Sequence, residues 1–297
     1  MRFLDLGSGA LGLILGATRE MRRRLVSTLL TSLSLLVLIG APSHSNAKTT
    51  TIYYYNPDSN LTDYAGLKRT ADGFLREVGD FQFQPFRDAN VFDMHTLMNS
   101  DGITILPSWK YKSMEVDRAG FLTLWPHWVG TKSGVNSEAR IVVSLNTKPV
   151  RFDSKIKIAS SIGSSQCMRL LVAAFPNEPI ADVVEIVSVP RDSDAGFAVL
   201  FEEADAAVVT ERTVSMITPR LRDSGERLIE WAKTAPVLSP VVVADENDAA
   251  AQKYTAELFA EMAVHPKGKE LLDLLGLDGW QAFTGSELRF FEDSGGD

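Results

Sequence analysis

A chain of 297 residues with a formal charge of −8 and a single cysteine, Cys167, is a poor partner for nucleic acid, whose phosphates call for a basic face. One cysteine makes no internal disulfide, so stability has to come from burial, and the length suffices for two modest lobes with their own cores.

The first elements belong to a leader. Met21-Arg22-Arg23-Arg24 is a short basic stretch, Leu25 to Gly40 is almost wholly apolar or small, and Ser45-Asn46-Ala47 places small residues where a signal peptidase reads. That order is a secretory signal, expected to be cut after Ala47, with Met21 the expected start and Met1 the alternative. The rival reading is a membrane anchor, but about sixteen apolar residues are short for a bilayer span. A lipoprotein needs a cysteine at the cut, and none stands there, so the mature chain is expected free in its compartment. The leader's five Arg outnumber Asp5 and Glu20 by three, which leaves about −11 on residues 48–297.

"TTIYYY" (50–55) reads as a first strand, ended by Asn56-Pro57-Asp58. From Tyr64 the apolar Leu67, Ala71, Phe74 and Val78 recur at three- and four-residue steps, an amphipathic helix stopped at Gly79. "FQFQPF" (81–86) alternates as a half-buried strand does, a helix follows over about 88–99, and "GITIL" (102–106) is a third strand closed by Pro107-Ser108-Trp109. After a less regular middle and the strand "ARIVVSL" (139–145), the pattern restarts: strand 156–160, helix 164–175, strand 182–189, helix 193–203, strand 205–209 and a short helix near 211–217. "RLIEWAKT" and "PVVVADEN" are expected to return to the first lobe, and a long helix over about 246–275, with Tyr254, Leu258 and Met262 as its buried stripe, to pack there. Two βαβαβ units predict an α/β protein of two lobes with parallel strands at their centres, joined by a two-strand hinge. The expected boundaries are 1–47 for the leader, 48–145 plus 240–297 for lobe 1 and 146–239 for lobe 2, with crossings near 143–150 and 236–240.

Ligands of open α/β sheets bind off the carboxyl ends of the strands. On that rule the candidate segments are Tyr55-Asn56 with Asp58-Ser59, Arg87-Asp88, Ser108-Trp109 with Tyr111, Ser160 to Ser165, and Thr210-Glu211. The serine segment combines a helix N-terminus, hydroxyl donors and a turn glycine, which suits an anion; the alternative is that Ser164 or Ser165 only caps the helix. Glu211 either accepts a proton from a ligand or begins a helix where an acid is favoured, and the helix is preferred. Trp109 and Tyr55 stack on a ligand or belong to the core. Asp205, at the start of its strand, is read as a turn residue. Gly-x-Ser-x-Gly and the phosphate loop are absent, and His44, His95, His127 and His265 lie in unrelated contexts, so no catalytic triad, metal site or cofactor is expected. Cys167 keeps helical spacing with Leu170, Leu171 and Ala174, as a buried structural thiol does.

Several stretches together resemble the phosphate, phosphite and phosphonate group of periplasmic solute-binding proteins, within the two-lobed type II binding-protein fold. They are "LKRTADGFLREVGDFQFQPF", "LMNSDGITILPSWKY", "KIKIASSIGSSQCMRLL", "EEADAAVVTERTV" and "APVLSPVVVADEN", spread over most of residues 50–285. The resemblance implies a periplasmic protein, monomeric and without enzymatic activity, that closes on a small phosphate- or phosphonate-like anion and delivers it to the permease of an ABC importer. The alternative role is a ligand-sensing partner of a membrane receptor or kinase. By the same resemblance Ser161, Gly163, Ser164 and Ser165 form the anion loop, Ser108 and Tyr111 the first lobe's cleft edge, and Tyr55 an aromatic near the end of the first strand. Trp109, Thr210 and Glu211 complete the expected ligand-binding set. Thr210 stands where members that bind aminoalkylphosphonates usually carry an acid, and the serine loop lacks the family's Asp-x-x-Ser-Thr-Ser-Gly order, which argues against an amine-bearing phosphonate. Mass spectrometry of the exported chain is expected to find Lys48 at its N-terminus; a chain that keeps residues 21–47 would contradict the signal-peptide reading.

Overall fold

A computed structural model describes residues 49–98, 102–117, 124–221, 225–245, 249–288 and 290. The leader, with its expected cut after Ala47, lies outside the described residues. The elements run β1 (Thr50–Tyr54), α1 (Tyr64–Val78), β2 (Phe81–Pro85), α2 (Ala89–Met98), β3 (Ile103–Leu106), α3 (Ser108–Asp117), β4 (Leu124–Thr131) and β5 (Ser137–Leu145). They continue with β6 (Ile156–Ser160), α4 (Ser164–Ala174), α5 (Ile180–Val183), β7 (Val184–Ser188), α6 (Asp192–Leu200), β8 (Ala206–Val209), α7 (Glu211–Ile217) and β9 (Leu228–Leu238). The last are β10 (Val241–Asp245), α8 (Ala249–Val264), α9 (Pro266–Leu275) and β11 (Gly279–Ala282).

Two sheets carry the fold, as the two βαβαβ units predict. One runs β11-β4-β10-β3-β1-β2 and the other β7-β6-β8-β5-β9. At the heart of each, three strands are parallel, β2-β1-β3 and β7-β6-β8, and antiparallel strands extend one side. The two-residue period of a strand assigns the side chains to layers. In the second sheet Val142, Ile158 and Val208 meet Cys167 and Leu171 of α4 on one face. Their neighbours Val143, Ala159 and Val209 meet Ala195, Val199 and Ile217 of α6 and α7 on the other. In the first, Ile52, Phe83 and Ile105 pack on Leu67, Phe74, Phe259 and Leu272 from α1, α8 and α9. Each such large apolar side chain, fully buried, contributes roughly 1.5–3 kcal/mol.

The hinge differs from the expected one. Residues 137–145 pair in the second sheet, Ile141 opposite Val209 and Ser137 opposite Leu238, so the first crossing lies at 132–136, before β5 rather than after it. There Lys132 and Val135 close a tight turn through Ser133 and Gly134, whose φ angles are 53° and 73°. The "RLIEWAKT" strand also belongs to the second sheet, as part of β9, and only β10 returns to the first. The two crossings run side by side, with the Ser239 N–H donating to Asn136 O at 2.8 Å and the Gly130 N–H to Pro240 O at 2.8 Å. The helical tail is two helices, because Pro266 cannot continue the α8 ladder and instead begins α9, with His265 as its cap. Leu258 and Met262 are buried as expected, whereas Tyr254 is exposed.

Cys167 is buried against the second sheet. Burial pushes its thiol up to about 11, against the opposing pull of a Ser160 hydrogen bond and the Arg140 charge. At pH 8 only roughly one thiol in a thousand is then ionised, and the thiolate is the reactive form. Native protein is expected to be inert to a thiol-reactive disulfide reagent and to react with one equivalent once unfolded in guanidinium; rapid labelling of the folded chain would contradict this.

Candidate functional site

The chain leaves β1 through Tyr55 and Asn56 into a single 3-10 turn, Pro57–Ser59. The Asn56 side chain accepts the Asp58 N–H at 3.0 Å, and the Ser59 hydroxyl donates back to Asn56 O at 2.8 Å. This braced turn holds the Asp58 carboxylate off the edge of the first sheet and over the second. Asn60 follows in the left-handed region, φ 56°, a conformation asparagine tolerates better than most residues.

Asp58 is where the lobes meet chemically. Its Oδ1 accepts from the Ser161 hydroxyl at 3.1 Å, and its Oδ2 accepts from the Trp109 indole N–H at 3.3 Å and from Arg140 Nη2. Ser161 follows β6, Trp109 lies in the first turn of α3 of the first lobe, and Arg140 lies in the middle of β5. The Arg140 side chain is only 7 % exposed, and its Nη1 lies 3.7 Å from Asp192 Oδ1. One cation thus sits between two carboxylates in a site largely closed to water. Burial alone would push the guanidinium down, but Asp58 and Asp192 together hold it above its ordinary value. Arg140 Nε and Nη1 are buried without a hydrogen-bond acceptor.

Asp192, at the start of α6, is fully buried and accepts the Thr210 N–H at 3.0 Å, the Thr210 hydroxyl at 2.7 Å and the Thr213 hydroxyl. Burial pushes its carboxyl up, while Arg140 and the two threonine hydroxyls pull it down. α6 lies close enough to α7 for this contact because position 196 is glycine. A Cβ there would stand 2.0 Å from Ile217 Cδ1 and 3.0 Å from Thr213 Cγ2. Across the cleft, the Asn60 amide donates to Thr213 Oγ1 at 2.8 Å and accepts the Ser193 N–H at 2.6 Å.

Of the residues the sequence singles out, Ser161 and Trp109 converge on Asp58, and Thr210 joins them through Asp192. Gly163 lies beside Trp109, where a Cβ would stand in ordinary contact with the ring at 3.8 Å, and the indole packs with Val142, Ile158 and Ile162 of the second lobe. Ser108 donates instead to Leu238 O at 2.6 Å, which ties α3 to the hinge. Tyr55 and Tyr111 are core residues of the first lobe rather than cleft residues, Tyr55 stacking on Phe92 with centroids 5.1 Å apart. Ser164 turns to Ser188 Oγ at 3.2 Å and Ser165 is exposed, so neither reaches Asp58. Nor does a serine cap α4: Gly163 holds the cap position with no side-chain bond. Glu211 opens α7, the helix-start role preferred for it, and lines a cavity of about 270 Å³ beside Arg140 that also meets Lys132, Glu138 and Arg212. Arg140 and Asp192 are absent from the sequence reading. The available signal was a lone arginine in an otherwise apolar strand, "ARIVVSL".

No protein-family model and no curated protein sequence matches the chain. Solved structures do. The chain is similar to a Xanthomonas citri protein bound to ATP, at 13% identity and TM-score 0.59, over 82% of this chain and 95% of that one. It is similar to a binding-protein component of an ABC phosphonate transporter from Pseudomonas aeruginosa, at 13% identity and TM-score 0.60, over 83% and 85%. It is also similar to the alkanesulfonate-binding protein of Xanthomonas axonopodis pv. citri bound to MOPS, at 13% identity and TM-score 0.54, over 82% and 90%. At such identities the likeness establishes the fold, the two-lobed architecture of periplasmic solute-binding proteins.

Asp192→Ala leaves Arg140 paired with Asp58 but strips the Thr210 N–H and the Thr210 and Thr213 hydroxyls of their buried acceptor, and a buried donor left unsatisfied costs about 1–3 kcal/mol. The variant is expected to lose at least about that much in urea unfolding, and Asp192→Asn less; a loss under about 1 kcal/mol would contradict the role given to this carboxylate.

Proposed function

We propose that the protein is a periplasmic solute-binding protein that captures a small ligand with an acidic group between its lobes and delivers it to the permease of an ABC importer. The observation that carries this is the convergence of donors from both lobes, Ser161, Trp109 and Arg140, on a single carboxylate inside the cleft. A set of donors that seats the Asp58 carboxylate has the chemistry to seat the acidic group of a ligand. Charge-assisted bonds of this kind are stronger than neutral ones, and the planar guanidinium matches the geometry of an oxyanion. The adjoining cavity of about 270 Å³ gives room for a small organic body beyond the acidic group. Two of the similar structures are named for phosphonate and alkanesulfonate, whose head groups are tetrahedral oxyanions.

In this reading Ser161, Trp109 and Arg140 hold the anion, with Gly163 at the entry to α4 beside the indole. Thr210 sets the electrostatics through Asp192, and Glu211 stands at the edge of the cavity. Closure stabilises the form that the permease recognises, and no covalent step is involved. The chain acts as a monomer.

A ligand that binds only the folded chain raises its stability, by about 2.7 kcal/mol at a hundred times Kd. A thermal-shift screen against phosphate, phosphite, phosphonates, sulfate, amino acids and thiamine-like compounds is expected to give its hits among the oxyanions. Arg140→Met is expected to abolish the shift, and Ser161→Ala to weaken binding by about 1 kcal/mol. Hits confined to uncharged or purely cationic compounds would sink the proposal.

A further inference from the structure

The carboxylate in the anion seat is the chain's own. From this we infer that Asp58 is a tethered occupant of the seat and a determinant of ligand affinity: an incoming acidic group has to displace it from Arg140 and Ser161. The inference rests on the reading of the cleft as an anion site.

Charge makes the two occupants mutually exclusive. With Asp58 in place, Arg140 already faces two carboxylates, Asp58 and Asp192, so the cluster carries one net negative charge. A ligand anion added to it would put three negative groups around one buried cation, with Lys132 and Arg212 of the adjoining cavity matched there by Glu138 and Glu211. A singly charged anion that replaces Asp58 restores the same charge, and a doubly charged one adds one negative charge rather than two. Asp58 is also an incomplete occupant. Of the five N–H donors of a guanidinium, Asp58 takes one on Nη2, and Nε and Nη1 stay buried without an acceptor. A tetrahedral oxyanion with several oxygens can meet more of them than a carboxylate whose reach is set by the Pro57–Ser59 turn.

The connectivity supplies a route for the exchange. Asp58 and Trp109 belong to the first lobe and Arg140 and Ser161 to the second, so parting the lobes withdraws the carboxylate from the second lobe's donors and leaves Arg140 and Ser161 facing the open cleft. In the closed form without ligand, the same carboxylate bridges the lobes where a ligand otherwise would.

Calorimetric titration of the mature chain and of Asp58→Ala with inorganic phosphate, sulfate and methylphosphonate tests this. Asp58→Ala is expected to bind at least one of the three at least tenfold more tightly than the parent, and the double variant Asp58→Ala/Arg140→Met to lose that gain. Asp58→Asn keeps the shape and, with its carbonyl oxygen toward Trp109 and its amide N–H donating to the Ser161 hydroxyl, both contacts without the charge, and is expected to show a smaller gain. If the parent binds and both variants bind equally or more weakly, Asp58 is no competitor and the inference falls while the anion site stands. If neither the parent nor the variants bind any of the three, both fall together.

Discussion

A guanidinium cannot be buried without company, and much of the cleft is arranged around that constraint. Arg140 stands in the middle of β5, between Ala139 and Ile141, with Val142 and Val143 behind it. Hydrophobic neighbours on the strand force the side chain to find its counter-charges elsewhere, and it finds one on each side of it in the sequence. Asp58 comes from the turn after the first strand, and Asp192 from the helix after the seventh. Replacing such a cluster with apolar residues would in general be tolerated or even stabilising. Its presence in a cleft between lobes therefore points to use rather than to stability.

Around this cluster the polar accounting is tight on one side and loose on the other. Asp192 is held by two threonine hydroxyls and a backbone N–H, in a nook that the absent side chain of Gly196 makes possible. Asp58 is held by one bond each from three different elements, two of them on movable partners. The first carboxylate is built into the second lobe, and the second is only docked on it. That asymmetry is what a cleft that opens and closes needs: a fixed field in one wall, and a group in the other that can leave.

The parts of the fold that local pattern controls were legible in the sequence. The strand–helix alternation of each unit, the apolar stripe of α1 and the burial of Cys167 follow from periodicity and from flanking breakers. The hinge was not legible, because β5 is assigned to its sheet by antiparallel partners almost seventy and a hundred positions away, Val209 and Leu238, and no local pattern encodes such a choice. Its Ser133-Gly134 turn looks like any hairpin. The same mistake about β5 hid Arg140, since a strand placed in the first lobe has no reason to point a charge at the serine loop. Of that loop, only Ser161 faces the cleft. Ser164 and Ser165 already lie on the first turn of α4, where the helix carries them away from it, a one-residue matter of where the helix starts that composition cannot resolve. Tyr55 and Tyr111 were misplaced for a related reason: an aromatic at a strand end can turn to either face of the sheet, and here Phe92 supplies the apolar partner.

Asn60 combines a backbone requirement with a side-chain one. Its left-handed φ ends the turn that carries Asp58, while its amide joins Ser193 and Thr213 on the far wall. The amide is neutral and has both a donor and an acceptor engaged, so this contact carries no charge of its own. Among the described residues the polar contacts between the walls therefore include a charged fastening and an uncharged one, two residues apart. Glycine at position 60 would keep the turn and delete the uncharged fastening alone, so the geometry that presents Asp58 and the adhesion between the lobes can be separated at a single residue.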